Sequence, residues 1–238
     1  MAKADDGGQR QPLSRDRVLR AAVALADEAG LEAISMRKLS QTLGVVPMAL
    51  YKHVANKEEL LDGMIDVVVG EIEPAMGDSD WKAAVRRRIL SARTVMLRHP
   101  WARRVMEAQA APTPVILAYT DSVIRTFLAG GLSADLVHHV MHALGSRIFG
   151  FTQELHETAP TAPADLTPEQ AAYMMAAFPG IAAVAMSRPH DPNSVVGSGC
   201  DDEFEFEFGI DLMLDGVERL QRKGWDSSDH DREDASVL

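Results

Sequence analysis

Basic and aromatic side chains crowd one short segment of this chain, between residues 37 and 57. They include Arg37, Tyr51, Lys52, His53 and Lys57. Cationic and hydroxyl side chains bind phosphate oxygens, and a helix that carries them can enter the major groove of DNA, which is about 12 Å wide. These residue types at this spacing therefore indicate contact with double-stranded DNA.

Helix start and stop signals place four helices in the first 74 residues. The predicted N-caps of the first, second and fourth helices are Ser14, Ser35 and Asn56. Pro47 suits the first turn of the third, very short helix. The four helices are predicted to end at Gly30, Gly44, Val54 and Pro74. Leu13 and Val18 are placed as a hydrophobic staple, and Glu59 completes a capping pair with Asn56. The second and third helices thus form a helix-turn-helix.

In a helix-turn-helix the second helix lies in the major groove, while the first crosses the DNA backbone. Here the reading helix is residues 47–53, with Leu50 and Val54 as its apolar back. Met48, Ala49 and Lys52 then face base edges. The side chains placed to bind phosphates are Arg37, Tyr51, His53 and Lys57. Val46 and Pro47 complete the predicted interface. The alternative is that Leu50, Tyr51 and Val54 are only the core of a small bundle, with Arg37 and Lys52 on a solvated face.

The segment from Leu13 to Ile72 resembles the DNA-binding domain of the TetR family, and more closely its tetracycline-repressor branch. The resemblance lies in residues 30–39 (GLEAISMRKL), 43–45 (LGV) and 50–61 (LYKHVANKEELL), and spans about a quarter of the chain. It implies that Arg37, Tyr51 and Lys57 contact the backbone or a flanking base, and that positions 48, 49 and 52 read operator bases. Ala49 replaces a small hydroxyl residue common in the family and Lys52 replaces an aromatic one, so the operator sequence stays open.

The rest of the chain also shows helical spacing, which predicts an all-α protein: a three-helix helix-turn-helix domain followed by a larger helical ligand-binding and dimerisation domain. Residues 201–221 alternate like a strand at first, but their later 4,3 spacing favours helix. Further helices are expected at 81–99, 101–108, 113–128, 134–157 and 168–187, and loops at 159–168 and 187–199. The expected divisions are a flexible 1–12, a DNA-binding domain 13–60, a connecting helix 61–76, an effector-binding and dimerisation domain 80–224, and an acidic tail 225–238.

The last helix carries a coiled-coil-like seam that predicts a homodimer interface. Its members are Phe206, Ile210, Met213, Val217 and Leu220. Gly209 and Gly216 flank the seam and would allow close approach of another helix. The alternative is a core within one chain. The resemblance implies that this helix and the helix at 134–157 build a four-helix bundle across a two-fold axis.

The helix at 134–157 has one apolar stripe and, on the opposite side, a mixed stripe of His138, His142, Phe149 and Gln153. A few polar groups among apolar walls are typical of a ligand pocket, although an exposed polar face explains the stripe as well. Further candidates for an effector cavity, each of which could be ordinary core, are Trp101, Met106, Gln109, Tyr173, Met174 and Phe178.

A metal site is the weaker interpretation of these histidines. His138 and His142 stand at i and i+4, and the tetracycline repressors that the chain resembles bind their drug as a magnesium chelate. Magnesium prefers oxygen ligands, however, and no acidic third ligand stands beside the two rings. We therefore expect no metal and no cofactor.

Charge and composition limit the possible functions. The net charge of −11 divides into +1 over residues 1–60 and −12 over the rest, so an acidic body accompanies a locally basic DNA-binding segment. No signal peptide or membrane span is visible, and the single Cys200 sits among acidic residues, which disfavours a reactive thiolate. We expect a cytoplasmic protein without membrane contact.

Together these features predict a homodimeric transcription repressor that binds a near-palindromic operator and is released by a small-molecule effector of unknown identity. An enzyme using His138, His139 and His142 is the first alternative, but no nucleophile motif, phosphate loop or paired acidic site accompanies them, so no catalytic activity is expected. A scaffold that contacts only proteins is the second alternative.

Overall fold

The structure is a computed structural model that describes residues 12–74, 80–154, 167–185 and 202–228. Within these ranges the regular structure is helical and no strand occurs, which confirms the predicted all-α fold. The helices are α1 (Arg15–Ala29), α2 (Met36–Leu43), α3 (Pro47–Leu50), α4 (Lys57–Val69), α5 (Trp81–Arg98), α6 (Ala102–Ala108), α7 (Pro114–Ala129), α8 (Ala134–Glu154), α9 (Pro168–Ala177), α10 (Pro179–Ala185) and α11 (Asp202–Lys223), with one 3₁₀ turn at Leu31–Ala33.

Several expectations concern residues outside the described ranges. These expectations concern the N-terminal segment 1–11, residues 77–79 of the linker, and the loop residues 159–166 and 187–199. They also concern Cys200, the end of the helix predicted to reach residue 157, and residues 229–238 of the acidic tail.

Side-chain caps begin three of the first four helices at the predicted residues. The Oγ atoms of Ser14 and Ser35 accept hydrogen bonds from the amides of Arg17 and Lys38, each at 3.2 Å. Asn56 Oδ1 accepts from the amide of Glu59 at 2.8 Å. The carboxylate of Glu59 reaches back to accept from the Ala55 amide at 2.7 Å, so two otherwise unpaired backbone donors are satisfied at the start of α4.

Two predicted helix ends were wrong. The third helix was expected to run to Val54, but it ends at Leu50 because the amides of His53 and Val54 both donate to the Leu50 carbonyl, at 2.8 and 3.0 Å, and close the chain into a turn. The fourth helix was expected to continue towards Pro74, but it ends at Val69 and Gly70 caps it. Ile72 is nevertheless buried in the turn that follows.

The chain divides into two units, Met1–Thr126 and Phe127–Leu238. In the first unit α1 packs on α2 and α4, and α4 also packs on α5 and α6. A continuous core joins these helices, with Leu39, Leu50, Leu60, Met64 and Ile65 fully buried. The helix-turn-helix therefore shares its core with α5 and α6, although the predicted domain division at 77–80 separates them.

In the second unit α8 packs against α11. The described buried side chains of this unit are Phe127, Leu132, Leu136, Val137, Val140, Leu144, Phe206, Ile210, Leu214 and Val217. Helix α11 ends at Gly224, whose φ of 62° allows the Trp225 amide to donate back to the Leu220 carbonyl at 3.1 Å. The open choice between strand and helix for this segment is thus settled as helix.

Among the described residues, no helix combines the length and apolar character needed to cross a membrane.

Replacing Asn56 tests the start of α4. Asn56→Ala removes the acceptor for the Glu59 amide, and we expect it to lower the free energy of unfolding by about 1 kcal/mol. Asn56→Asp keeps an acceptor at the same place and is expected to stay close to the unchanged protein. Urea unfolding followed by circular dichroism measures both variants, and equal loss in the two would show that the cap bond does not stabilise α4.

Candidate functional site

The reading segment at residues 46–53 has a buried back and an exposed front. Leu50 and Val54 are 0% and 1% exposed within the core of the first unit, while Val46, Met48 and Tyr51 are 68%, 73% and 47% exposed. Large apolar side chains this open to water are costly unless a partner covers them. The segment is thus anchored from behind and presents a contact surface in front.

Cations surround this front. Arg37 on α2, Lys52 in the turn after α3, and Lys57 at the start of α4 are exposed, whereas Ala49 and His53 are half-buried. The Arg37 backbone carbonyl accepts from the buried Ser40 hydroxyl at 2.8 Å, and α2 packs against α3. Charge and apolar surface therefore come from one packed pair of helices and the adjoining helix start.

A buried polar joint, which the sequence did not reveal, lies behind the reading module. His99, at the end of α5, is 3% exposed, and its Nδ1 lies 2.8 Å from Asp27 Oδ1 on α1. Trp101 Nε1 donates to the same Asp27 oxygen at 2.7 Å. His99 Nε2 lies 3.3 Å from Glu71 Oε2, to which Arg98 also donates at 2.7 Å.

This joint connects four places in the chain: the end of α1, the turn after α4, the end of α5 and the start of α6. Asp27 and His99 are 72 positions apart in sequence, so no local pattern links them. Burial of the His99 ring requires hydrogen-bond partners, and the two acidic side chains supply them. Movement of α6 against α5 would therefore act on α1 and α4 through short polar contacts.

Helix α4 contributes two more acidic side chains to the same unit. Gln109 Nε2 donates to Asp62 Oδ1 at 2.7 Å, and the buried Thr113 hydroxyl donates to Asp66 Oδ1 at 2.5 Å. Two residues predicted for an effector cavity, Trp101 and Gln109, are thus already engaged by acids of the DNA-binding helices. Met106, a third, packs against the core of this unit.

The other predicted effector residues belong to the second unit and are described there by themselves. His138 and His142 are exposed on α8, with ring centroids 4.8 Å apart, and Tyr173 and Phe178 are 69% and 47% exposed. Phe149 and Gln153 lie on α8 and Met174 on α9, but their side chains are outside the described part. Their role in a pocket stays a prediction.

The α8 histidines form a small ring cluster. His139 lies edge-on to both His138 and Trp225, with ring centroids 5.1 and 5.4 Å apart, and its Nε2 is 3.8 Å from Asp135. Within the described residues, no group of three His, Cys, Asp or Glu side chains is arranged to hold a metal ion.

The predicted dimer seam on α11 is divided between buried and accessible positions. Phe206, Ile210 and Val217 are buried within the second unit, whereas Met213 and Leu220 are half-buried. A groove of about 690 Å³ opens between α8 and α11, and its lining includes Leu136, Val140, Met213, Gly216 and Leu220. A Cβ atom at Gly216 would meet nothing within 4 Å, so this part of the groove is open.

A second apolar surface lies on the same helix. Phe204, Phe208 and Leu212 follow one another at every fourth position and are 41%, 56% and 62% exposed. The rings of Phe204 and Phe208 stack at a centroid distance of 6.4 Å. Because Leu212 precedes the groove residue Met213, exposed apolar surface continues from the groove around α11.

Two family models match the chain. Residues 18–64 match "Bacterial regulatory proteins, tetR family", and residues 73–221 match "Tetracyclin repressor-like, C-terminal domain". The HTH-type transcriptional repressor DrrR1 of Streptomyces coeruleorubidus is 32% identical over 91% of this chain and 82% of its own length. Tetracycline repressor protein class C of Escherichia coli is 26% identical over 88% of this chain and 92% of its own.

Solved structures show the same fold. Apo ActR from Streptomyces coelicolor superposes with a TM-score of 0.69 and 25% identity, covering 90% of this chain and 99% of that one. ActR in complex with actinorhodin gives a TM-score of 0.65, also at 25% identity, over 88% of this chain and 98% of that one. The likeness therefore extends across both units of the chain.

The polar joint can be tested by removing its shared acceptor. Asp27→Ala leaves the buried Trp101 and His99 nitrogens without a partner, and we expect the free energy of unfolding to fall by about 2–4 kcal/mol. Asp16→Ala on the same helix removes only an exposed pair with Arg20, which water and salt screen, and should lower the free energy of unfolding much less. Similar losses for the two variants, measured by urea unfolding, would contradict the role of Asp27.

Proposed function

The chain belongs to the tetracycline-repressor (TetR) family of bacterial transcription regulators, and on that basis we propose that it is a homodimeric cytoplasmic repressor which binds a near-palindromic operator and is released by a small molecule. One observation above all supports this proposal: the exposed front of the reading segment, anchored by the buried Leu50. The operator is double-stranded DNA read in its major groove.

Contacts to DNA divide into two kinds. Arg37, Tyr51, His53 and Lys57 bind phosphates and set the register of the protein on the duplex, without reading sequence themselves. Base edges are read by the front of the segment, formed by Val46, Pro47, Met48, Ala49 and Lys52. Lys52 can donate to the O6 and N7 acceptors of guanine.

The exposed apolar side chains of this front can pack against the methyl group of thymine. Val46 and Met48 have no hydrogen-bonding group on their side chains, yet they are the most exposed large apolar residues of the segment. In the major groove, the 5-methyl group of thymine is the apolar surface that such side chains can cover. We therefore expect thymines in each operator half-site opposite Val46 and Met48.

A dimer is required because two reading helices must meet successive major grooves, about 34–36 Å apart. The groove between α8 and α11 and the exposed Phe208 and Leu212 beside it form the surface that a second copy would cover. Because Phe206, Ile210 and Val217 are buried within the second unit of each protomer, Met213 and Leu220 are the seam residues left for the partner.

Release requires that the effector prefers a conformation in which the two reading helices no longer fit both half-sites. A coupling free energy of about 1–3 kcal/mol is typical of such regulation. The solved complex of ActR with actinorhodin supports a small-molecule effector for a protein of this fold. The shared core and the Asp27–His99 joint support a direct mechanical path from α6 to α1 and α4.

Selection from a random DNA pool at physiological salt tests the DNA-binding role. We expect a near-palindromic site whose affinity falls by about tenfold or more with Tyr51→Ala, since a phosphate contact is lost, and changes at one symmetric base pair with Lys52→Ala. Tyr173→Ala, which removes a more exposed tyrosine from α9, serves as the control. Failure to enrich any site, or indifference to both substitutions, would overturn the assignment of the reading segment.

The thymine assignment can be tested by removing single methyl groups from the selected operator. Replacement of each thymine by deoxyuridine should weaken binding by about fourfold at the positions that Met48 covers, because one buried methyl group contributes about 0.8 kcal/mol. Met48→Ala should lose this sensitivity at those positions, whereas Met175→Ala, an exposed methionine on α9, should keep it. Equal sensitivity in both variants would contradict the contact.

Charges placed on the apolar face of α11 test the dimer. The double variant Phe208→Glu, Leu212→Glu should be monomeric by size-exclusion chromatography with light scattering, because two carboxylates would have to be buried unpaired on association. Leu117→Glu introduces a charge at an equally exposed leucine on α7 and should leave the dimer intact. A dimeric double variant would show that the partner lies elsewhere.

A further inference from the structure

The guanidinium of Arg88 forms no ion pair with the described residues of the first unit. Arg88 lies on α5 between Ala84 and Ala92, one helical turn away on either side, and both alanines are buried. Its Nε atom is shielded from solvent and meets no hydrogen-bond acceptor among the described residues. A half-buried cation thus lies on the same side of α5 as two buried alanines, whose side chains offer no acceptor.

The guanidinium of Arg88 contacts the side chain of Tyr119. Arg88 Cζ lies 4.5 Å from the centre of the Tyr119 ring on α7. Burial raises the pKa of Tyr119, and Arg88 partly opposes that rise through its charge and through a side-chain hydrogen bond. A cation–π contact contributes about 0.5–2 kcal/mol, and it leaves the Nε donor without an acceptor.

Acidic side chains of the same unit are already used elsewhere. Asp27 and Glu71 bind His99, Trp101 and Arg98, while Asp62 and Asp66 accept from Gln109 and Thr113. Within the described ranges no carboxylate lies within ion-pair distance of Arg88. A shielded donor on a permanent cation without an acceptor costs free energy, and an acceptor on a bound molecule would remove that cost.

Apolar side chains surround the Tyr119 end of this contact. Tyr119 packs against the core of the unit together with Met106, Val115 and Ile116. A ligand reaching Arg88 along this wall would meet one fixed positive charge and an otherwise apolar surface. Such a combination matches a compact hydrophobic molecule with a single acidic group.

We propose that Arg88 and Tyr119 form a subsite for the acidic group of an apolar, ring-containing effector, a carboxylate or sulfonate that pairs with the guanidinium. This inference rests on the effector-released function proposed above and specifies the chemistry of the effector. The Arg fork donates two parallel hydrogen bonds to the two oxygens of the acid, an arrangement that a lysine ammonium does not reproduce.

The subsite also lies on the path to the reading module. Tyr119 contacts the same core that buries Leu50 and Trp101. An acid that draws the α5 guanidinium away from the α7 ring would change the packing of this core. The effector charge would then act on α4 and α6 rather than on the DNA directly.

Two fluorescent probes that differ in a single group test the subsite. 1-Anilinonaphthalene-8-sulfonate carries a sulfonate that N-phenyl-1-naphthylamine lacks on the same ring skeleton. With the full-length protein we expect the sulfonate probe to bind about tenfold more tightly than the neutral one, since a shielded charge pair is worth this much. Arg88→Gln should abolish that preference while changing the affinity for the neutral probe less than about twofold.

Control variants separate this site from general effects of charge. Arg125→Gln removes an exposed arginine from α7, 4.0 Å from Asp121, and should keep the full preference for the sulfonate. Arg88→Lys should give an intermediate preference, because it keeps the charge but not the fork. Equal affinity of the two probes for the unchanged protein, or an undiminished preference in Arg88→Gln, would overturn the proposal.

The melting temperature and the operator affinity of Arg88→Gln separate a failure of the proposed subsite from a failure of the proposed repressor function. Arg88→Gln loses the contact with Tyr119 but also removes a shielded donor that lacks an acceptor, so we expect its melting temperature to stay close to that of the unchanged protein. A large fall would show that Arg88 is needed for the fold instead. Arg88→Gln should still bind the selected operator, but 2-naphthoic acid should release it less effectively than it releases the unchanged protein. Methyl 2-naphthoate, without the acid, should release neither, and release by acid and ester alike would contradict an acid subsite.

Discussion

The placement of the reading segment depends on the burial of Leu50. Helix α3 has four residues, too few to be stable alone, because forming a first helical turn costs more than its hydrogen bonds return. Burying a leucine contributes about 2 kcal/mol, and Leu50 and Val54 both enter the core made by α1 and α4. The orientation of every base-reading side chain therefore follows from two apolar anchors, and the exposed front can vary without loss of the fold.

This anchoring also explains why the DNA-binding module can be regulated. Its core is continuous with α5 and α6, so the position of α3 is not decided by the helix-turn-helix alone. The contacts of Asp27 with His99 and Trp101 are short and directional, so a displacement of α6 or of the end of α5 would also displace α1. A ligand that alters how α5, α6 and α7 pack would therefore shift the reading segment through this continuous core.

Most of the fold follows from local chemistry. Ser14, Ser35 and Asn56 begin helices as their side chains dictate, because each accepts a backbone hydrogen bond that would otherwise be missing. The two wrong helix ends, after Leu50 and after Val69, have a common cause. At both, apolar spacing continues beyond the helix, and Val54 and Ile72 are buried from turns, which periodicity cannot distinguish from another helical turn.

By itself the sequence determined the helical fold, the starts of α1, α2 and α4, and the buried back of the reading segment at Leu50 and Val54, since these depend on neighbours within about four positions. Tertiary structure alone decided the division of the α11 seam, in which Phe206 and Ile210 are buried within the second unit while Met213 and Leu220 are half-buried. It also decided the Asp27–His99 joint and the Arg88–Tyr119 contact. Those pairs join residues far apart in the chain, and their burial depends on how helices pack, which no local pattern records.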